Sequence, residues 1–385
     1  MKIFNVFLFL CLSFVGGQGL QEMLDYQNIE KGLSLHLQNK YGRKGVIVSL
    51  ETTEKQIHAP RHNHELLFQI EKKEDVIFIR ALYELPEHTQ QEIQTKLQEK
   101  YSVKVQNEPF YYGIIGQRGA DLLVEPTGEK GTNLASQFIF GTCFSVWEEK
   151  DNFVRVQSQE DGYIGWLDKT DFWALSKESF QILLNAKKIF LAECKEEYPI
   201  GSIFYLFQGK IISILQCNNE EISYITQKET KTIQGKTINN APSISWDLCS
   251  QKNNILTTIQ RFLRNNDCGN NEYLWGGTVL PGLDCSGFVQ LVYRLQNISI
   301  PRDASQQQQF GQAVEKNDLQ IGDLVFFSSH KKWATHVGIY IGNGKFVHCS
   351  RVGEYSGVKI NDLQGKTEYD QYLNNIYFGA TRIQP

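Results

Sequence analysis

At 385 residues the chain exceeds what one ordinary hydrophobic core supports, so roughly two to four domains are expected. A content of 41% hydrophobic and 21% charged residues is that of a globular protein and excludes a disordered or membrane-embedded chain. The formal net charge is −4, and the lysines and arginines form no basic stripe with interleaved aromatics, which argues against a nucleic-acid partner.

Lys2 precedes an apolar run from Ile3 to Val15 and then Gly16-Gly17-Gln18-Gly19. This is the charged start, apolar middle and small-residue exit of a secretory signal, expected over residues 1–19. The run is too short to cross a bilayer. Leu10 before Cys11 is not the small residue that a lipid-modified cysteine follows. The mature chain is therefore expected to be secreted or periplasmic, free of the membrane, and monomeric. Without Cys11 seven cysteines remain, Cys143, Cys194, Cys217, Cys249, Cys268, Cys285 and Cys349. They are too spread for a disulfide scaffold, and the odd number leaves room for one free reactive thiol.

Residues 20–109 read as a small α+β unit of unassigned role. Leu20, Met23, Leu24, Leu33 and Leu37 suit helical faces, strand-like runs follow at Val46–Leu50, Leu66–Ile70 and Val76–Leu82, and a polar helix opens after Pro86. His58, His62 and His64 cluster in a loop, but without nearby cysteines they read as solvated surface before a metal site. Residues 110–175 alternate in short runs (Phe144 and Val146, Val154 and Val156, Ile164 and Trp166) between turns at Glu129-Lys130-Gly131 and Glu160-Asp161-Gly162, the pattern of a small β-barrel. Residues 186–248 are again strand-rich and are expected to form a second, degenerate barrel. The last unit, 252–385, opens with a helix whose apolar face is Ile255, Leu256, Ile259, Phe262 and Leu263.

Within that unit Asp284-Cys285-Ser286-Gly287 precedes Phe288, Leu291, Val292 and Leu295, apolar positions at helical spacing, with Asp284 placed as N-cap. A thiol in the first turn of a helix meets unpaired N–H groups and the positive end of the helix dipole. Both favour the thiolate, so a pKa below the ordinary value of about 8.5 is expected. His336 opens the alternating run His336-Val337-Gly338-Ile339-Tyr340-Ile341, whose odd-numbered residues face the core, so its ring is expected on the other face beside Cys285. The chain turns at Gly342-Asn343-Gly344 and returns through His348. A plain two-residue turn would put the two histidines on opposite faces. A three-residue loop or a bulge puts them on one face with His348 opposite Gly338, and that register is predicted. His348 could then fix the tautomer of His336. A metal held by Cys285, His336, His348 and Cys349 is disfavoured, because adjacent strand residues point to opposite faces. No cofactor is expected.

Five motifs follow in order: Tyr273-Leu274-Trp275-Gly276-Gly277, Asp284-Cys285-Ser286-Gly287, Pro301-Arg302-Asp303-Ala304-Ser305-Gln306-Gln307, Gly322-Asp323-Leu324-Val325-Phe326-Phe327 and His336-Val337-Gly338-Ile339-Tyr340-Ile341. Together they resemble the NlpC/P60 cysteine peptidases. The resemblance implies an α+β, papain-like fold with Cys285 as nucleophile, His336 as base, His348 as third member and Tyr273 at the oxyanion. The pattern of 110–175, including Glu125-Pro126 and Asp161-Gly162-Tyr163-Ile164-Gly165-Trp166, resembles a bacterial SH3 domain. Family members with such a domain ahead of the peptidase imply that Glu125, Tyr163 and Asp284 hold a free amino terminus, and that Ser286 and Ser305 contact substrate. The expected substrates are peptidoglycan-derived peptides, cut between D-glutamate and the diamino acid. A wall-binding module with a relic peptidase is the rival from another class, and the intact Cys-His-His set argues against it. An acyltransferase on a related fold would carry histidine before cysteine, the reverse of the order here.

Overall fold

The computed structural model describes residues 44–49, 65–73, 76–84, 87–98, 102–128, 133–192, 198–207, 210–211, 254–263, 272–352 and 356–384. The signal-like segment, the helices expected around Leu20 to Leu37, the loop of His58, His62 and His64, and Cys194, Cys217, Cys249 and Cys268 lie outside these residues, as does Glu129-Lys130-Gly131. The chain divides into two compact units, Met1–Pro109 and Phe110–Pro385. In the first, strands β1 (Lys44–Ser49), β2 (Glu65–Lys73), β3 (Val76–Ala81) and β4 (Val103–Gln106) form a sheet in that order. β3 and β4 are parallel neighbours, which need a crossover, and helix α1 (Glu87–Gln98) supplies it.

The second unit begins with a barrel-like sheet of β5 (Tyr111–Ile114), β6 (Gly119–Leu123), β7 (Leu134–Ile139), β8 (Cys143–Lys150), β9 (Phe153–Ser158), β10 (Ile164–Asp168) and β11 (Trp173–Leu175). Its order is β11-β5-β8-β9-β10-β6-β7, with antiparallel neighbours throughout. Phe144, Val146, Val154 and Val156 fill its interior as their alternation requires. On β10 the interior residue is Leu167; Trp166 instead packs with Leu123 and Leu134, under the Arg155 guanidinium at 4.8 Å. Helix α2 (Lys177–Leu184) then leads to a three-stranded meander, β12 (Lys187–Phe190), β13 (Ile203–Phe207) and β14 (Lys210–Ile211). Ile203 and Tyr205 of this meander pack against Ile114, Ile139 and Cys143 of the barrel. It is the described part of the segment where a second barrel is expected; residues 212–253 lie outside.

The final portion holds helix α3 (Ile255–Leu263), the short strands β15 (Glu272–Tyr273), β16 (Thr278–Val279) and β17 (Gly282–Leu283), and helices α4 (Cys285–Arg294) and α5 (Ala304–Phe310). A larger sheet follows, built of β18 (Gln312–Val314), β19 (Leu324–Phe327), β20 (His336–Gly342), β21 (Lys345–Ser350), β22 (Gly357–Asp362) and β23 (Tyr377–Arg382), with helix α6 (Glu368–Asn375) before the last strand. Its order is β18-β23-β19-β20-β21-β22. Both faces are covered. Val337, Ile339, Val347 and Cys349 pack with Phe288, Val289 and Val292 of α4, while Phe327 and Phe346 on the other face pack with Tyr369 and Leu373 of α6. Each such side chain withdrawn from water contributes about 1.5–3 kcal/mol.

Helix α4 is buried along its length from Cys285 to Tyr293. It lies close under the loop before it: a Cβ added to Gly287 would sit 2.1 Å from the Gly277 carbonyl oxygen. That loop is itself pinned to the barrel, since the Thr278 hydroxyl donates to Gln137 O at 2.7 Å and the Thr278 N–H to Gln137 Oε1 at 3.2 Å. Gly287→Ala must push helix and loop apart. It is expected to lower the unfolding free energy by about 2–3 kcal/mol, read from the urea midpoint.

Candidate active site

Cys285 opens α4, and the Asp284 N-cap stands in extended backbone (φ −95°, ψ −176°) with Oδ1 accepting the Gly287 N–H at 2.7 Å. The same carboxylate accepts from the Gly276 N–H at 2.9 Å and the Ser286 hydroxyl at 3.3 Å. Arg302, 2% exposed, closes on it with Nη2 at 2.6 Å from Oδ2 and Nη1 at 3.1 Å from Oδ1. Arg302 also donates to Ser286 Oγ at 2.7 Å and, through Nε, to Ser136 Oγ on the barrel at 3.0 Å. Five donors fill the Asp284 acceptor sites, which leaves no free lone pair for a substrate ammonium. Its geometry is that of a helix cap and an arginine clamp.

The β20–β21 hairpin turns at Asn343-Gly344, both at positive φ, with a register shift between Tyr340 and Gly342. This is the predicted bulge, and it brings His348 beside Gly338. The ladder continues only to the pair Ile339–Val347. Past it the Val337 N–H turns to the Cys285 sulfur. One expectation is corrected here. α4 packs on the Val337 face, not the histidine face, and the sulfur reaches the His336–Val337 peptide where the two strands part.

On the other face the hydrogen bonds run in one direction. Asp370 accepts from Asn361 Nδ2 at 2.6 Å, from the Asp362 N–H at 3.0 Å and from the Thr367 hydroxyl at 2.5 Å. Despite desolvation, these bonds hold its carboxyl below the usual range, so it accepts only. Asn361 must therefore present Nδ2 to Asp370 and Oδ1 to His348 Nε2, 2.9 Å away, which makes that nitrogen the proton carrier. His348 Nδ1 is then an acceptor, and His336 Nε2, at 2.6 Å, donates to it. The lone pair left on His336 is at Nδ1. Both nitrogens of His348 are committed, and Cys349 bonds Leu283 O from the opposite face, so the two do not converge on a metal.

Burial pushes the Cys285 thiol up to about 12, Asp284 adding to the shift while the Val337 N–H, Arg302 and the Ser286 N–H oppose it. Burial likewise lowers His336 to about 4, with Asp284 opposing, and holds His348 well below its ordinary value, with His336 adding to the effect. The expected thiolate is thus overturned in the unliganded site, because desolvation outweighs the helix end. Burial thus favours the neutral forms of both thiol and imidazole.

Tyr273 pairs with Leu283 across the short sheet, and its hydroxyl stays protonated through burial and the nearby Cys285 and Asp284. Ser286 is buried against Arg302, and Ser305 is half-buried in the first turn of α5. Tyr163, 8% exposed, lies on the barrel where Asp303, Arg302 and Asp161 act on its hydroxyl. Glu125 is exposed, and among the described residues no hydrogen bond or ion pair joins its carboxylate to Tyr163 or Asp284. Sequence reasoning missed Asn361, Asp370 and the clamp by Arg302. Alternation along β22 puts Asn361 on the His348 face once the pairing His348–Lys359 is known, but nothing local gives that pairing.

A buried cysteine at a helix start, beside a histidine with a fixed tautomer and a second histidine behind it, defines the class of cysteine peptidases. The NlpC/P60 family model matches residues 270–376, and a bacterial dipeptidyl-peptidase SH3 domain model matches 126–172. The gamma-D-glutamyl-L-lysine dipeptidyl-peptidase of Bacillus subtilis is 43% identical over 235 residues, covering 57% of this chain and 74% of its own. The protein of the same name from Bacillus cereus is 27% identical over 273 residues, covering 66% and 76%. The crystal structure of an NlpC/P60 family protein from Bacillus cereus shares the fold at a TM-score of 0.50 and 22% identity, over 71% of this chain and all of that one. The chain belongs to the NlpC/P60 family, a cysteine-type peptidase with an SH3 domain ahead of its catalytic domain.

Two outcomes are expected of this site. Alkylation of Cys285 by iodoacetamide should climb with pH through the neutral range; a plateau with a midpoint below pH 7 would show a stored thiolate instead. Asn361→Ala frees His348 to turn over its tautomer, so kcat should fall on the order of 10- to 100-fold at a nearly constant KM, in steady-state kinetics.

Proposed function

We propose that this peptidase hydrolyses the γ-D-glutamyl–diamino acid bond of peptidoglycan stem peptides, as an exported monomer that releases L-Ala-D-Glu from peptides with a free L-alanine. The observation that carries the reading is the contact between the barrel and the helix that opens at Cys285. There the barrel meets the nucleophile's helix through Ser136, Arg302 and Asp284, and Tyr163 is buried in the same seam. A barrel seated against that helix would bound the acyl side, which suits a short amino-terminal dipeptide better than a chain that must pass through. The names of the two Bacillus relatives support the same bond.

In this reading Cys285 attacks the γ-carbonyl of D-glutamate as its proton passes to His336 Nδ1. The oxyanion is met by the Tyr273 hydroxyl and by the Cys285 N–H, which has no partner inside its own helix. His336, now an imidazolium hydrogen-bonded to His348, gives the proton to the departing amine. The C–N bond breaks and a thioester remains. Water, deprotonated by His336, attacks that thioester, and L-Ala-D-Glu leaves as the thiol is restored. Tyr163 and Glu125 are assigned to the L-alanine amino group, with Ser286 and Ser305 lining the glutamyl portion. Asp284 acts on the ammonium through its field while it caps the helix.

The test is a digest followed by mass spectrometry, with Cys285→Ala as control. L-Ala-γ-D-Glu-diaminopimelate is supplied free or capped on its alanine by muramic acid. Release of L-Ala-D-Glu from the free peptide alone is the expected result. Equal cleavage of both would mean a general wall endopeptidase, and no Cys285-dependent cleavage of either would refute the assigned bond.

A further inference from the structure

Beside His336 lies a cleft of about 180 Å³. Its lining includes Tyr273, Thr335 and His336, Tyr369 and Tyr372 of α6, and Arg351, the residue after β21. Three of its hydroxyls are already engaged: Ser350 Oγ pairs with Tyr369 OH at 2.8 Å and accepts the Val352 N–H at 3.1 Å, and the Thr335 hydroxyl donates to Phe327 O. Arg351 differs. Among the described residues its guanidinium has neither a hydrogen bond nor an ion pair, and it is the one fixed charge on the cleft wall. It is near enough to the Tyr273 hydroxyl for its charge to act there.

The direction of the reaction says what enters this cleft. The base that takes the thiol proton must hand it to the departing amine, so the leaving residue lies on the His336 side of the sulfur. The barrel meets the helix of Cys285 through Ser136, Arg302 and Asp284. The two tyrosines offer apolar surface to an aliphatic side chain, and a guanidinium that none of the described residues engages matches a carboxylate. Resting on the bond assigned above, we propose that this cleft is the leaving-group subsite and that Arg351 takes a carboxylate of the departing diamino acid. That carboxylate can come from the side chain of a diaminopimelate-type residue or from the main-chain end of a terminal lysine.

Three substrates separate the sources. L-Ala-γ-D-Glu is joined to lysinamide, which has no carboxylate; to lysine, with the main-chain one; or to diaminopimelate amidated on its main-chain carboxyl, with the side-chain one. The wild-type protein should cleave at least one carboxylate-bearing substrate with a kcat/KM about 10-fold above lysinamide. Which of the two gains identifies the source. In Arg351→Met that advantage should vanish, the loss on lysinamide being several-fold smaller, and Arg351→Lys should restore part of it. A wild-type protein that treats all three alike, or an Arg351→Met that loses equally on all three, overturns the subsite while leaving the bond assignment standing. No Cys285-dependent cleavage of any of the three overturns the bond assignment and the subsite with it.

Discussion

A guanidinium and a carboxylate, both withdrawn from water, hold this active site together. Asp284 caps the helix that begins with Cys285 and fastens the Gly276 loop, while Arg302 grips that carboxylate in two places and reaches across to Ser136 of the barrel. Burying two such charges costs several kcal/mol each, and the pair offsets that only because nearly every donor and acceptor is used. Its contribution is better described as position than as stability. Helix start, loop and barrel meet at one carboxylate, so the sulfur's coordinates are set by all three.

With the sulfur fixed, the sheet decides how it lies against the strand that carries His336. Sheet interiors do not normally admit a side chain from one face to the other. Here the β20–β21 ladder stops at Ile339–Val347, and the freed Val337 N–H becomes a partner of the thiol. The acceptor-only carboxylate of Asp370 then sets the amide of Asn361, the amide sets His348, and His348 sets His336. No member of that chain needs a charge of its own in the resting state except the last carboxylate, which has its own donors. The polar network is therefore compatible with a dry, tightly packed surround.

The parts legible in the sequence were those whose cause is local. Asp284 before a helical apolar pattern is a cap signal readable within four residues. The parity argument on His336 and His348 required a bulge, and a bulge is present between Tyr340 and Gly342. Alternation also read the barrel interior on β8 and β9, but not on β10, where Trp166 turns away to stack under Arg155. What stayed hidden depended on pairings between distant segments. Arg302 meets Ser136 across 166 residues of chain, and Asn361 matters only because β22 lies beside β21. The thiolate expectation failed for a related reason: a helix start announces itself in sequence, whereas the degree of enclosure that outweighs it does not.

Burial that favours the protonated sulfur has a consequence for its exposure to oxidants. Peroxide and other oxidants attack the thiolate, and sulfenic acid is the first step of a ladder that soon becomes irreversible. Burial pushes the thiol up, so the thiolate is a minor species at neutral pH. Where oxidants are present and no thiol reductant is at hand, a sulfur held as the thiol offers them less of the reactive form than one stored as an anion.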